Sequence, residues 1–141
     1  MNLPSGGSRL SVRIWVDGAC RGNPGPASIG GVIRDVEGRL LREISEALGD
    51  GTNNQAEYTA LIRALEAARA LDAEAVEAFS DSQLLVRQVL GEYRVKHPGL
   101  KPLHARAREL VSVFRTFRFA HIPREENREA DRLANQALDR A

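Results

Sequence analysis

The 141 residues carry 20 Lys and Arg against 19 Asp and Glu, a formal net charge of +1, and 43% of them are hydrophobic. That length predicts one domain with its own core, and the balanced charge argues against a histone-like or tail-type nucleic-acid binder. The lone cysteine, Cys20, excludes an internal disulfide, and no apolar run reaches the roughly 18 residues of a membrane span. A soluble, cytoplasmic protein is expected, with a Gly/Ser-rich flexible leader over residues 1–8 and a single domain over 9–141. Of the cations only Lys96 and Lys101 are lysines. Arginine suits phosphate by its forked geometry, but the base composition of a genome gives the same bias.

Along the chain, Ser11–Asp17 alternates as a strand, with Val12, Ile14 and Val16 on one face and Arg13, Trp15 and Asp17 on the other. Arg21–Pro26 is dense turn chemistry. Strands over Ser28–Arg34 and Arg39–Glu46 follow, joined at Asp35–Gly38, which makes an antiparallel meander. The period then changes. Ala60, Leu61, Ala64, Leu65 and Ala68 fall on one face of a helix over Gln55–Leu71, with Thr52 and Gln55 as its capping box. A strand over Ala75–Ser80, helices over Gln83–Leu90 and Leu103–Val113, a strand over Thr116–Ile122 and a helix over Glu125–Arg140 complete the order. The reading is an α/β fold with a five-stranded mixed sheet, three antiparallel strands and then two parallel ones reached by helical crossovers.

Four acidic residues sit at element ends or on inward faces. Asp17 closes the first strand, Glu57 lies on the apolar stripe of the first helix, Asp81 closes the fourth strand, and Asp131 stands in the first turns of the last helix. Each has an ordinary explanation: a turn at Asp17-Gly18, a helix cap at Asp81, the far half of a cap begun by Asn54 at Glu57, the helix dipole at Asp131. Together they suggest more. If the strands of Asp17 and Asp81 are neighbours, three carboxylates converge, and like charges that close require a cation. All-oxygen ligands without His or Cys point to a hard divalent ion rather than zinc.

The sequence resembles type 1 ribonuclease H, in a compact subgroup without a basic protrusion. Val16-Asp17-Gly18-Ala19-Cys20-Arg21-Gly22-Asn23-Pro24-Gly25-Pro26, Thr52-Asn53-Asn54-Gln55-Ala56-Glu57, Ser80-Asp81-Ser82-Gln83 and Asn127-Arg128-Glu129-Ala130-Asp131-Arg132-Leu133-Ala134 match four of its motifs in order and spacing. The resemblance implies the ribonuclease H-like fold and an acidic quartet, Asp17, Glu57, Asp81 and Asp131. This quartet would hold two Mg²⁺, with Mn²⁺ as a substitute, and cut the RNA strand of an RNA–DNA hybrid to leave 5′-phosphate and 3′-hydroxyl ends. It also implies substrate contacts at Cys20, Asn23, Thr52, Asn53, Asn54 and Gln83, with Thr52 and Asn53 near a DNA phosphate. Amides suit 2′-hydroxyl recognition because each offers a donor and an acceptor.

Many members carry a loop histidine before the last aspartate. Here the segment is His121–Asn127, with His121 assigned to the strand, and Arg124, ahead of Glu125 or Glu126, is the expected stand-in. From Tyr93 to Arg108 there are five Lys or Arg and no acid, a candidate surface for phosphate backbone. A monomer without an obligate protein partner or membrane contact is expected. Two other readings use the same residues: a non-catalytic hybrid- or RNA-binding module, and a nuclease that also cuts double-stranded RNA.

Overall fold

The computed structural model describes residues 10–141; the leader expected over 1–8 lies outside the described residues. The elements are β1 (Leu10–Cys20), β2 (Gly25–Asp35), β3 (Leu40–Gly51), α1 (Asn53–Ala70), β4 (Ala73–Ser80), α2 (Gln83–Val89), α3 (Lys101–Val111), β5 (Thr116–His121) and α4 (Arg128–Arg140). A single 3₁₀ turn, Arg124–Glu126, precedes α4. The strands form one sheet in the order β3-β2-β1-β4-β5. The pairs β1–β2 and β2–β3 are antiparallel, whereas β1–β4 and β4–β5 are parallel, which is the mixed sheet read from the sequence.

One face of the sheet carries the main core. Val12, Ile14 and Val16 of β1 join Val76 and Ala78 of β4 and meet Leu61, Ala64, Leu65 and Ala68 of α1, all buried. Each large aliphatic side chain in such a setting contributes about 1.5–3 kcal/mol. The Thr52–Gln55 capping box forms as the spacing predicts: Thr52 Oγ1 accepts from the Gln55 N–H at 3.2 Å, and Gln55 Oε1 accepts from the Thr52 N–H at 3.0 Å. Beneath α1 the Tyr58 hydroxyl donates to Gln88 Oε1 at 2.7 Å, so two buried polar groups satisfy each other across α1 and α2.

The other face is covered over β1, β2 and β3 by α4. Its apolar stripe, Ala130, Leu133, Ala134, Ala137 and Leu138, is buried as the spacing predicts. Gly30 lets the helix sit close, because a β-carbon there would collide with the Ala130 carbonyl and the Ala134 amide. Ser28 and Ser45 donate their hydroxyls to the Ala134 and Leu133 carbonyls, at 2.5 and 2.6 Å.

Element bounds shift by a few residues along the chain, and the following shifts have a direct physical cause. β1 and β3 run on to Cys20 and Gly51, because the ladders to β2 continue through Cys20–Ala27 and Gly25–Gly51 pairs. α3 starts at Lys101 rather than Leu103, since Pro102 is tolerated within the first turn, where its missing N–H has no helical partner. The last helix begins at Arg128 rather than Glu125, because the Asn127 side chain is drawn into the sheet edge and the preceding residues tighten into the 3₁₀ turn.

Candidate active site

Parallel pairing of β1 with β4 sets Val16 beside Ser80. The next residue of each strand is therefore an aspartate, and Asp17 and Asp81 emerge at the same carboxyl edge of the sheet. Asp81 is turned by local bonds. Ser80 Oγ accepts from the Ser82 N–H at 3.0 Å, and Ser82 Oγ caps α2 by accepting from the Leu85 N–H at 3.2 Å.

Glu57 arrives from α1. Its Oε1 accepts the backbone N–H of Gly18 at 2.7 Å. That approach needs a glycine: a β-carbon on Gly18 would lie 2.5 Å from the backbone of Ala56 and Glu57. Ligand oxygens of Asp17, Glu57 and Asp81 all fall within 4.8 Å of one another. Asp131 joins them from α4, and its own N–H donates to the Asn127 carbonyl at 3.1 Å. The buried Asn127 side chain donates from Nδ2 to the Val16 carbonyl at 2.9 Å, fastening the start of α4 to the residue before Asp17.

The electrostatics follow from this crowding. Asp17 is pushed up to about 9, first by burial and then by the charges of Glu57 and Asp81, with a hydrogen bond to Asp131 and its charge adding to them. Burial and the Asp81 charge push Glu57 up to about 8, against the Gly18 N–H. Asp81 is raised by burial and by Asp131, an effect opposed by Arg124, Asn127 and His121. Protonating such a cluster or neutralising it with a cation are the two ways to relieve it. The donor set is entirely oxygen, which fits a hard divalent cation such as Mg²⁺ and does not fit a zinc site.

The carboxylates line an open pocket of about 440 Å³ with Gly18, Ala19, Cys20, Asn53, Arg124 and Asn135. Thus all four acids, Arg124, Cys20 and Asn53 share one concave surface. Asn23 reaches it indirectly, its Oδ1 accepting the Asn53 N–H at 3.1 Å. Cys20 is held by the backbone around it, its thiol lying within hydrogen-bond reach of the Gly22 and Gly51 carbonyls at 2.6 and 3.3 Å. Thr52 is engaged in the α1 cap. Asn54 and Gln83 are exposed and lie outside this pocket; Asn54 borders a neighbouring groove with Leu84, Tyr93, Arg94, Lys96 and His97. His121, in β5 beside Ser80, is exposed and does not line the pocket.

The basic stretch divides. Arg106 is held by Glu66 and Glu109 at 3.3 and 2.6 Å, and Arg108 donates to the Val89 carbonyl at 2.6 Å. Arg94 and Lys101 share a second concavity with Tyr93, His104 and Arg108. Sequence reasoning missed three pocket residues, Gly18, Ala19 and Asn135. Gly18 betrays its role only through its distance to α1. Asn135 carries a weak signal, standing four residues after Asp131 on the same face of a helix. Among the described residues no helix is long and apolar enough to cross a membrane.

Comparison with known proteins gives consistent matches. The reverse transcriptase-like family matches residues 15–137. The ribonuclease HI of Halobacterium salinarum is 45% identical over 138 residues, 98% of this chain and 68% of that protein. Its crystal structure superposes with a TM-score of 0.90, covering 93% of this chain and 99% of the solved one. A bifunctional protein of Mycobacterium tuberculosis is 44% identical over 133 residues, 94% of this chain but 36% of its own length. The chain thus spans about two thirds of the first of these relatives and about a third of the second. LC11 ribonuclease H1, solved in complex with an RNA/DNA hybrid, is 46% identical with a TM-score of 0.86, over 92% of this chain and 97% of that one.

Proposed function

This chain belongs to the type 1 ribonuclease H family, and we propose that it hydrolyses the RNA strand of RNA–DNA hybrids at the pocket formed by Asp17, Glu57, Asp81 and Asp131. The observation that carries the assignment is the convergence of three carboxylates to within 4.8 Å where burial and mutual repulsion hold two of them well above their ordinary range. Two Mg²⁺ ions, or Mn²⁺ in their place, are the natural occupants, and when bound they supply activation of a water and stabilisation of charge on the departing oxygen.

The chain's own groups do the placing. Glu57, pinned by Gly18, and Asp17, fixed by the parallel register, form the rigid side of the site. Asp81 and Asp131 close it from β4 and α4. Arg124 sets a positive charge beside Asp81 at the pocket wall, where it faces the phosphate being cut. Water adds to phosphorus and the bond to the 3′-oxygen breaks, giving a 3′-hydroxyl and a 5′-phosphate. Asn53 and Asn23, linked to each other, offer amides to the minor groove, with Cys20 shaping the wall behind them. Asn54 and Gln83 act at the rim, and Thr52 presents the start of α1 to a phosphate of the DNA strand. The exposed Arg94 and Lys96, in the groove that begins at Asn54, continue the surface along the duplex backbone.

The deciding experiment is cleavage of a labelled hybrid across Mg²⁺ and Mn²⁺ with wild type and Asp81→Asn. Wild type is expected to cut only the RNA strand and the variant to cut nothing. A wild type that binds hybrid but leaves it whole in both ions overturns the reading in favour of a binding module. Equal cleavage of double-stranded RNA would widen the substrate class.

A further inference from the structure

Asp131 differs from the other three acids of the pocket. It is outside the tight group formed by Asp17, Glu57 and Asp81, and it stands on the opposite face of the sheet from α1. Like Glu57 it comes from a helix, so no sheet register fixes its carboxylate, and the Gly18 N–H that holds Glu57 is not its partner. Its hydrogen bond with Asp17 ties it to the cluster, and a second group holds it from α4 itself.

Asn135 is that group. One turn further along α4, it is half-buried and lines the same pocket. Its amide Nδ2 donates to the Asp131 backbone carbonyl at 3.0 Å and to the Asp131 carboxylate Oδ1 at 3.3 Å. The two hydrogens of one amide nitrogen can thus be shared between the main chain and the side chain of one residue. That pairing reduces the rotamer freedom that an aspartate on a helix otherwise keeps.

We infer that Asn135 is a positioning residue that orients Asp131 to complete the cation-holding quartet. The chemistry favours an amide here. A carboxylate at this place would offer no donor to Asp131 and add a fifth acid to a pocket already crowded with four. A lysine or arginine would neutralise Asp131 and compete with the cation. An amide donates without charge and occupies only one carboxylate oxygen, leaving the other available to a cation. The inference rests on the proposed metal-dependent reading of the pocket and adds to it the residue that sets the fourth ligand.

The test is Asn135→Ala, Asn135→Ser and Asn135→Asp beside wild type, with three readouts. Calorimetric titration with Mg²⁺ alone measures cation binding without hybrid. Steady-state cleavage against Mg²⁺ concentration gives kcat, KM and the activating Mg²⁺ concentration. Thermal unfolding checks the fold. Loss of a group that orients a metal ligand typically costs 10–100-fold in metal affinity or activity. Asn135→Ala should therefore raise the activating Mg²⁺ concentration or lower kcat by about that factor. KM for hybrid should stay within about twofold and the melting temperature within a few degrees. Asn135→Ser, which keeps a short donor, should recover part of the loss, and Asn135→Asp should be worse than Ala. An Ala variant with wild-type Mg²⁺ binding, activation and kcat overturns the inference. So does a loss that rises with a fall in melting temperature and is the same in all three variants. If wild type leaves hybrid uncut, the functional assignment fails on its own, and the calorimetric arm still decides the role of Asn135.

Discussion

The backbone N–H of Gly18 and the carboxylate of Glu57 meet at 2.7 Å, joining the end of β1 to the second turn of α1. This one bond brings Glu57 beside Asp17 and at the same time satisfies a backbone donor at the sheet edge. Both benefits depend on the absence of a side chain at position 18. Gly18→Ala is expected to push α1 away, since its methyl would meet the Ala56 and Glu57 backbone. The cost in stability should be about 1–3 kcal/mol, the usual range for overpacking. Cleavage should fall far more than hybrid binding. Denaturant unfolding and a kcat/KM measurement on the same preparation check both parts.

Substituting Asp81 should separate activity from stability in opposite directions. Asp81→Asn removes a cation ligand, so cleavage is expected to drop to the assay floor. It also removes a charge that raises Glu57 and Asp17, so the metal-free protein should melt at a higher temperature than wild type. Thermal unfolding in chelator reads the second effect. A lower melting temperature for the variant would contradict the repulsion described above.

The pH dependence has a definite sign. Asp17 at about 9 and Glu57 at about 8 lie above the ordinary 3.8 and 4.5 that they regain on unfolding. Between those limits the folded chain holds more protons than the unfolded one. Without metal, stability is therefore greatest in acid and falls as pH rises through the window from about 4 to about 9. A divalent cation removes that loss by compensating the ionised pair. The rise in melting temperature caused by Mg²⁺ should then be small at pH 5.5 and larger at pH 8.5. Melting curves at both values, with Mg²⁺ and with chelator, test it.

The exposed cations beyond the pocket should act on binding alone. Replacing Arg94 and Lys96 by Ala is expected to raise KM for hybrid and leave kcat unchanged. The slope of log KM against log salt should fall by roughly 0.9 for each phosphate deprived of its cation. Arg106→Ala, by contrast, breaks only surface ion pairs to Glu66 and Glu109, and should leave that slope as it is. Kinetics over a salt series distinguish the two groups.

The element order was legible because periodicity is a local property. The alternation around Val12, Ile14 and Val16 and the stripe Ala60–Leu65 both appear where the sequence places them. The four acids were legible as a group because each sits where an element ends or on a stripe that should be apolar. Features that depend on distances between remote segments were not. Gly18 reads as half of a turn until α1 is set against it. Arg106 reads as a free cation until Glu66, 40 residues earlier, is found beside it. Asn127 reads as a residue of the last helix's first turn, yet its side chain serves the Val16 carbonyl, 111 residues away in sequence.

The seating of α4 on Gly30 also bears on the order of events during synthesis. The ribosome makes β1 through β5 before α4, since synthesis runs from the N-terminus. Until residues 128–140 appear, the sheet face over β1, β2 and β3 lacks the helix that covers it, and the pocket lacks Asp131. Docking of α4 closes the apolar face and delivers the fourth acid in one step. Before that step a nascent chain holds three acids of the pocket, and after it all four, so the packing of one helix and the completion of the acidic quartet are a single event.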